Sequence, residues 1–130
     1  MEALVALLIF SFGLAAIAGL QARAVRHFND AQYRANAAEL AHATVASMRA
    51  SDPSTLASRF DASINAAAWL ALLGQARKLP GVTDRRNAPA IQFADGPTTT
   101  SRHVTLSVFW QAPDEPSAHR YAVSTVVSTN

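Results

Sequence analysis

The amino-acid sequence predicts an α+β fold with a long N-terminal helix, a second helix and a small C-terminal antiparallel sheet of about three strands. Three observations support this prediction: an uncharged apolar run at residues 3–22, helix-forming residues that continue to position 51, and alternation of apolar with polar residues from position 90 onward. The chain has 130 residues, of which 50% are apolar and 15% are charged. This length leaves room for one modest domain after the apolar run.

The first element is the apolar run, in which none of the 20 residues from 3 to 22 is charged. In a helix they span about 30 Å, the thickness of the hydrocarbon core of a bilayer. Apolar side chains surround this helix, so we expect it to be a membrane segment. The run is too long for a cleaved signal peptide and lacks a basic start, and a buried core helix would need a larger domain around it. A plain signal anchor is a further alternative.

The helix is expected to continue beyond the membrane segment, because no glycine or proline occurs between residues 23 and 51. Apolar residues recur there at spacings of three or four and predict one apolar stripe. The stripe consists of Ala24, Phe28, Ala31, Ala35, Ala38, Ala41, Val45 and Met48. Serine, aspartate and proline at 51–53 end this helix and suit the start of the next one. We therefore expect one helix from Glu2 to about Ala50.

A small domain cannot cover a helix of that length, which is roughly 74 Å at 1.5 Å per residue. Its first half must therefore be covered by lipid or by other subunits. The chain is expected to divide into a transmembrane and assembly half at residues 1–22 and a globular domain at residues 23–130.

A second helix is predicted from Ser54 to Lys78. Its apolar residues follow the helical period, and Trp69 and Leu72 widen the apolar face. The periodic positions are Leu56, Phe60, Ile64, Ala67, Leu70 or Ala71, and Leu73 or Gly74. Proline and glycine at 80–81 end the helix, and residues 81–89 form a polar connection.

Three strands follow, over Ala90–Ala94, His103–Gln111 and His119–Val127. The second alternates most clearly, and its apolar face consists of Val104, Leu106, Val108 and Trp110. Because the links between the strands are short and polar, we expect an antiparallel meander packed against the second half of the long helix.

Composition and motifs argue against an enzyme. The chain has no cysteine, which excludes disulfides, thiolate metal sites and cysteine nucleophiles. Neither a nucleophile elbow nor a glycine-rich phosphate loop is present. The net charge of +2 is too small to indicate a nucleic-acid partner. We expect no catalytic residues, no metal and no cofactor.

Ionisable residues that could suggest chemistry have simpler interpretations. The four histidines lack acidic partners in the sequence, and His27 and His42 are too far apart on one helix to share a metal; the other two are His103 and His119. Asp114 and Glu115 are interpreted as solvated turn residues. The basic cluster could touch a phosphate or an acidic neighbour, but a solvated face is favoured; it consists of Arg77, Lys78, Arg85 and Arg86.

Glu2 is the unusual residue of the apolar run. A carboxylate near a hydrocarbon core is costly, although the cost falls close to the interface. Glu2 therefore either has a partner or lies in the headgroup zone.

The first thirteen residues, from Met1 to Gly13, resemble the N-terminal helix of type IV pilins, specifically the minor-pilin group PilV (type IV pilus modification protein). Leu20-Gln21-Ala22 and the C-terminal segments Val108–Gln111 and His119–Tyr121 are also similar to that group. The resemblance covers about the first 25 residues strongly and the last 30 loosely. It implies a pilin-like fold whose first helix carries assembly.

In that family a prepilin carries a short basic leader that ends in glycine, followed by a phenylalanine whose amine is methylated after cleavage. No such junction precedes Glu2, and we expect Met1 to be an internal methionine of a longer reading frame. Arg23 and Arg26 follow the span, and by the positive-inside rule alone they would keep the C-terminal domain in the cytoplasm. A basic leader upstream would restore the outward orientation and provide a prepilin peptidase site.

The resemblance implies that Glu2 pairs with the N-terminal amine of a neighbouring subunit. We expect the small residues Gly13, Ala16 and Gly19 to allow close packing of helices. The expected function is that of a minor pilin in the inner membrane, with a periplasmic domain and with other minor pilins, the major pilin and membrane lipid as partners. The alternatives are a pseudopilin of type II secretion and a membrane-anchored periplasmic binding or regulatory protein that does not polymerise.

Overall fold

The computed structural model describes residues 2–113 and 115–128. Its elements in chain order are α1 (Glu2–Arg49), α2 (Leu56–Arg59), α3 (Ala67–Ala76), β1 (Ala90–Asp95), β2 (Ser101–Trp110) and β3 (His119–Ser128). The predicted α+β class, with a long first helix and a three-stranded antiparallel sheet, is confirmed. Met1 and Asp114, which the sequence analysis names, lie outside the described residues.

The chain forms two compact units, Met1–Gln32 and Tyr33–Asn130. Helix α1 contributes its first part to one unit and its last part to the other. The proposed boundary between membrane and water at residues 22 and 23 is a separate property of the chain and stays a prediction.

Helix α1 ends close to the predicted position because local hydrogen bonds favour a turn there. The amide of Ser51 donates a hydrogen bond of 3.0 Å to the carbonyl oxygen of Met48. These residues are three apart, as in a 3₁₀ turn, rather than four apart as in an α-helix. The Asp52 carboxylate then accepts hydrogen bonds from the amide and the hydroxyl of Ser54, at 2.8 and 2.7 Å. This Asx turn redirects the backbone before α2 begins.

The continuous second helix predicted over residues 54–78 is wrong. The structure has the short helix α2, a break at residues 60–66, and then α3. In the break, the Asp61 carboxylate accepts hydrogen bonds from the amide and the hydroxyl of Ser63, both at 2.7 Å, and Asn65 has a φ of 51°. Aspartate, serine and asparagine compete with helical hydrogen bonds, which explains why the helix stops there.

The sheet has the order β1-β2-β3, with both pairs antiparallel. Ala90 lies opposite Ser107, and Trp110 lies opposite His119. All three predicted strands are confirmed to within two residues at each end. The predicted apolar face of β2 is buried along its whole length, as expected for a sheet covered on one side.

The core of the unit Tyr33–Asn130 lies between the helices and this face of the sheet. One cluster joins the last part of α1 and α3 to β2 and contains Ala37, Ala41, Val45, Trp69, Leu72, Ala76, Leu79, Val82, Leu106, Val108 and Trp110. A second cluster contains Met48, Leu56, Phe60, Val104 and Val127. Trp69 and Leu72, predicted only to widen an apolar face, are central to the core, whereas Ile64 is exposed.

The apolar stripe predicted along α1 contributes to the core only in its last part. Its members from Ala41 onward are buried, whereas Ala35 is exposed and Ala37 is buried in its place. Alanines occur on several sides of the helix here, so the sequence pattern does not determine which side faces the sheet. The bulky side chains on the other elements, such as Trp69 and Val108, select that side by packing.

Candidate functional site

The candidate functional site is the apolar first half of α1, within the unit Met1–Gln32. Large apolar side chains in this half are each more than half exposed: Leu4, Val5, Leu7, Leu8, Ile9, Phe10, Phe12, Leu14, Ile17 and Leu20. None of the most apolar 18-residue window is buried inside the protein, so this half of α1 is not part of the core of the described chain. By length and composition the helix is able to cross a membrane, a criterion that an N-terminal signal sequence also meets. It is a candidate membrane anchor.

The structure places the predicted assembly residues along this half of α1. Glu2 lies in the first helical turn and is exposed, where its negative charge complements the helix dipole. Gly13, Ala16 and Gly19 follow at steps of three residues, and each step rotates by about 60° around the axis. Apart from the adjoining residues and the backbone of α1 itself, a Cβ atom at either glycine would meet no atom within 4 Å. These small residues therefore form a broad open strip around about a third of the helix.

A straighter row of small residues was missed by sequence reasoning. Ser11, Ala15 and Gly19 are four residues apart and share one face of α1. This spacing is the small-xxx-small pattern that lets helix backbones approach each other in membranes, and it could have been found from the sequence. The Ser11 hydroxyl donates a hydrogen bond to the carbonyl oxygen of Leu7 at 2.7 Å, so the polar group is satisfied within the helix.

In the unit Tyr33–Asn130, two polar contacts join the last part of α1 to β3. The Nε2 atom of His42 lies 3.1 Å from the hydroxyl of Tyr121, and the two rings meet edge to face at 6.0 Å. The guanidinium of Arg49 donates from Nη2 and Nε to the hydroxyl of Thr125, at 2.7 and 3.1 Å. These contacts fix the register of helix against strand, which sequence reasoning did not predict.

Glu115 and His119 form a pair that closes the loop between β2 and β3. The Glu115 carboxylate lies 2.9 Å from Nε2 of His119 and accepts a longer hydrogen bond, of 3.3 Å, from the amide of Ala112. The hydrogen bond with His119 is the main reason that the pKa of Glu115 is lowered. The His119 ring also stacks on Trp110, with the ring centres 5.5 Å apart. Sequence reasoning treated Glu115 and His119 separately and missed this arrangement.

The basic cluster predicted near residues 77–86 has partners within the chain. Arg77 forms an ion pair with Asp84 through Nη2 and also donates from Nε at 2.8 Å, and Arg86 donates to the side-chain oxygen of Gln111 at 2.7 Å. Lys78 and Arg85 are exposed. Two of the four cations thus brace the connection between α3 and β1, which agrees better with a structural role than with a phosphate site.

Comparisons of this chain with family models, with curated proteins and with solved structures return no match. The fold and the site define an α+β protein whose first helix is long and apolar enough to anchor it in a membrane.

Proposed function

We propose that this chain is a minor pilin, a subunit that joins a type IV pilus or its priming tip complex and has no catalytic activity. The observation that carries the proposal is the uncovered apolar half of α1. The unit Tyr33–Asn130 makes its own core, while large apolar residues from Leu4 to Leu20 stay exposed. Exposed apolar surface of this extent needs lipid or other subunits to cover it.

The proposed assembly step moves this half of α1 from lipid into a bundle of equivalent helices. Lipid tails are as apolar as leucine, so helix association depends on close packing rather than on the hydrophobic effect. The open positions at Gly13, Ala16 and Gly19, together with Ser11 and Ala15, favour such packing. Glu2 would pair with the N-terminal amine of a neighbouring subunit, so that two charges costly in an apolar medium neutralise each other.

The rest of the proposal concerns location and partners. Residues 1–22 would cross the inner membrane and residues 23–130 would lie in the periplasm until the subunit enters a pilus. The partners would be other minor pilins, the major pilin and membrane lipid. Prepilin peptidase would act on the chain only if a leader precedes Met1.

Substitution of Glu2 tests the proposal in cells that assemble type IV pili. Glu2→Ala is expected to abolish recovery of the subunit in sheared pili, because the inter-subunit charge pair is lost. The amount of subunit in the membrane fraction should be unchanged, because the apolar run is intact. Immunoblots of the sheared and membrane fractions measure both quantities.

Glu39→Ala is a matched control, since it removes an exposed carboxylate from the same helix outside the apolar run. It should enter pili normally. Normal recovery of Glu2→Ala in sheared pili would contradict the proposed role of Glu2. Absence of the unsubstituted subunit from sheared pili would instead favour an anchored protein that does not polymerise or a secretion pseudopilin.

A further inference from the structure

Helix α1 becomes basic on one side directly after its apolar half. Arg23 and Arg26 are the first charged residues after the uncharged positions 3–22, and we call them the arginine pair. Both are exposed, and both lie within the unit Met1–Gln32. Residues three apart on a helix differ by about 60° around its axis, so the arginine pair occupies one side of α1.

The opposite side of α1 at this level is apolar. Val25 and Phe28 lie about 200° and 140° around the axis from Arg23. Both are well exposed, at 58% and 69% of their surface. A helix surface that is cationic on one side and apolar on the other is suited to the boundary between lipid and water.

The position of the arginine pair along α1 matches the depth of lipid headgroups, provided that residues 1–22 cross the membrane. This inference rests on that part of the proposed function. The uncharged run spans about 30 Å, the thickness of the hydrocarbon core, and the headgroup layer beyond the core is about 5–8 Å thick. Arg26 lies about 6 Å beyond residue 22 along the helix axis, so both guanidinium groups reach this layer.

Charge complementarity selects the headgroups that fit the arginine pair. Residues 3–29 contain these two cations and no carboxylate, and Asp30 is the first acid that follows. Among the residues that the structure describes, the ion pairs include neither arginine. A guanidinium group binds phosphate oxygens through two parallel hydrogen bonds. In a zwitterionic lipid the ammonium group offsets the phosphate, so an anionic lipid is the better partner.

We propose that the arginine pair binds the phosphates of anionic phospholipids in the leaflet next to residues 23–130. In the proposed orientation this is the periplasmic leaflet, where the positive-inside rule disfavours arginine. Anionic headgroups give the two cations a stabilising partner on that side of the membrane. The attraction corresponds to about a fivefold preference for each arginine near an anionic surface.

Spin-labelled lipids in vesicles that contain the purified full chain test this proposal. The electron spin resonance spectrum separates a slowed fraction of lipid, in contact with protein, from the lipid of the bulk bilayer. The host lipid is phosphatidylcholine, and the probe is spin-labelled phosphatidylglycerol or spin-labelled phosphatidylcholine. We expect phosphatidylglycerol to be enriched about threefold in the slowed fraction, because the preference at two arginines is averaged over all lipids around the helix. The enrichment should fall as salt is added.

A double substitution shows whether this enrichment depends on the arginine pair. Arg23→Gln/Arg26→Gln should abolish the preference for phosphatidylglycerol and leave the slowed fraction of phosphatidylcholine unchanged. Arg85→Gln/Arg120→Gln is the matched control, since it removes the same charge from two exposed arginines outside α1. The control should keep the enrichment.

The outcomes separate this inference from the proposed membrane segment. A slowed fraction with no preference for phosphatidylglycerol would overturn the inference and leave the membrane segment standing. Absence of a slowed fraction for either probe would overturn both. Enrichment that survives in Arg23→Gln/Arg26→Gln, or that is lost in the control, would assign the lipid to other cations and overturn the inference. Dimers in detergent that only Arg23→Gln/Arg26→Gln abolishes would assign the pair to a carboxylate of a second copy instead.

Discussion

Gly81 lies where the connection after α3 passes the end of β2. The neighbouring carbonyl oxygen of Pro80 accepts a hydrogen bond from the amide of Gln111 at 2.9 Å, and Asn87 donates to the carbonyl oxygen of Gly81 at 2.9 Å. Gly81 has a φ of 69°, and a Cβ atom there would lie 2.7 Å from the backbone oxygen of Gln111. Both the backbone conformation and the space therefore require glycine.

Substitution by alanine should change the free energy of unfolding in opposite directions at Gly81 and at Gly74, a glycine within helix α3. Gly81→Ala should lower the free energy of unfolding by about 1–3 kcal/mol, because it adds strain in the left-handed region and a clash with backbone. Gly74→Ala should raise the free energy of unfolding by about 0.5–1 kcal/mol, because it relieves the cost of glycine within a helix. Denaturant unfolding of the full chain in detergent, followed by the fluorescence of the buried Trp69 and Trp110, measures both changes. Equal effects of the two substitutions would contradict this account.

Elements with a regular sequence pattern were predicted well. The alternation of β2 identified its buried face, because side chains of a strand point to opposite sides in turn. The helix predicted over residues 54–78 failed because the apolar period was given more weight than the side chains of Asp61, Ser63 and Asn65. Residues of these three types favour local turns, and this signal was available in the sequence. The structure shows its result in the hydrogen bonds of Asp61 with Ser63.

Only the local features of the candidate site could be predicted from the sequence. The apolar run and its small residues follow from the sequence alone, and Ser11 with Ala15 could have been found by searching for a period of four. The contact of Arg49 with Thr125 joins residues far apart in the chain, so no local pattern indicates it. The exposed outer face of α3 also needed the structure, because the sequence shows only that the helix is apolar.

Three carboxylates at the junctions between elements should make the fold sensitive to acid. Hydrogen bonds with Ser54, Ser63 and His119 lower the pKa of Asp52, Asp61 and Glu115, respectively. A lowered folded-state pKa stabilises the fold above the unfolded-state pKa, which is about 3.9 for aspartate and 4.3 for glutamate. That stabilisation is lost as the pH falls through the lower folded-state values. The urea midpoint of unfolding should thus be steady down to about pH 5 and should fall below about pH 4.

Substitutions at the turn between α2 and α3 isolate one of these contributions. Asp61→Asn keeps a side-chain oxygen that can accept the hydrogen bonds of Ser63 but removes the titrating group, so the difference in urea midpoint between pH 7 and pH 3 should shrink. Ser63→Ala removes one donor to Asp61 and should shrink the same difference. An unchanged pH dependence in both variants would rule out a contribution from this turn.

At the scale of the whole molecule, charge and burial divide the chain in the same way. The uncharged residues 3–22 make no core, whereas every buried residue of the described chain lies at position 37 or beyond. The low share of charged residues, 15%, thus has two sources. One is the apolar first half of α1, and the other is an alanine-rich domain whose helix α3 is uncharged. Both features are compatible with the proposed polymer subunit, in which lipid or other subunits would cover these surfaces.

The position of the core predicts which truncations fold. A fragment that begins at Arg23 keeps every buried residue of the described chain, so it should unfold in one cooperative transition with the tryptophan emission of the full chain. A matched fragment that begins at Thr44 lacks Ala37 and Ala41, which pack in the cluster of Trp69 and Leu72. That loss removes much of the helix covering the sheet, and the fragment should show red-shifted emission without a cooperative transition. If the first fragment also failed to unfold cooperatively, the apolar half of α1 would have to stabilise the domain as well as anchor it.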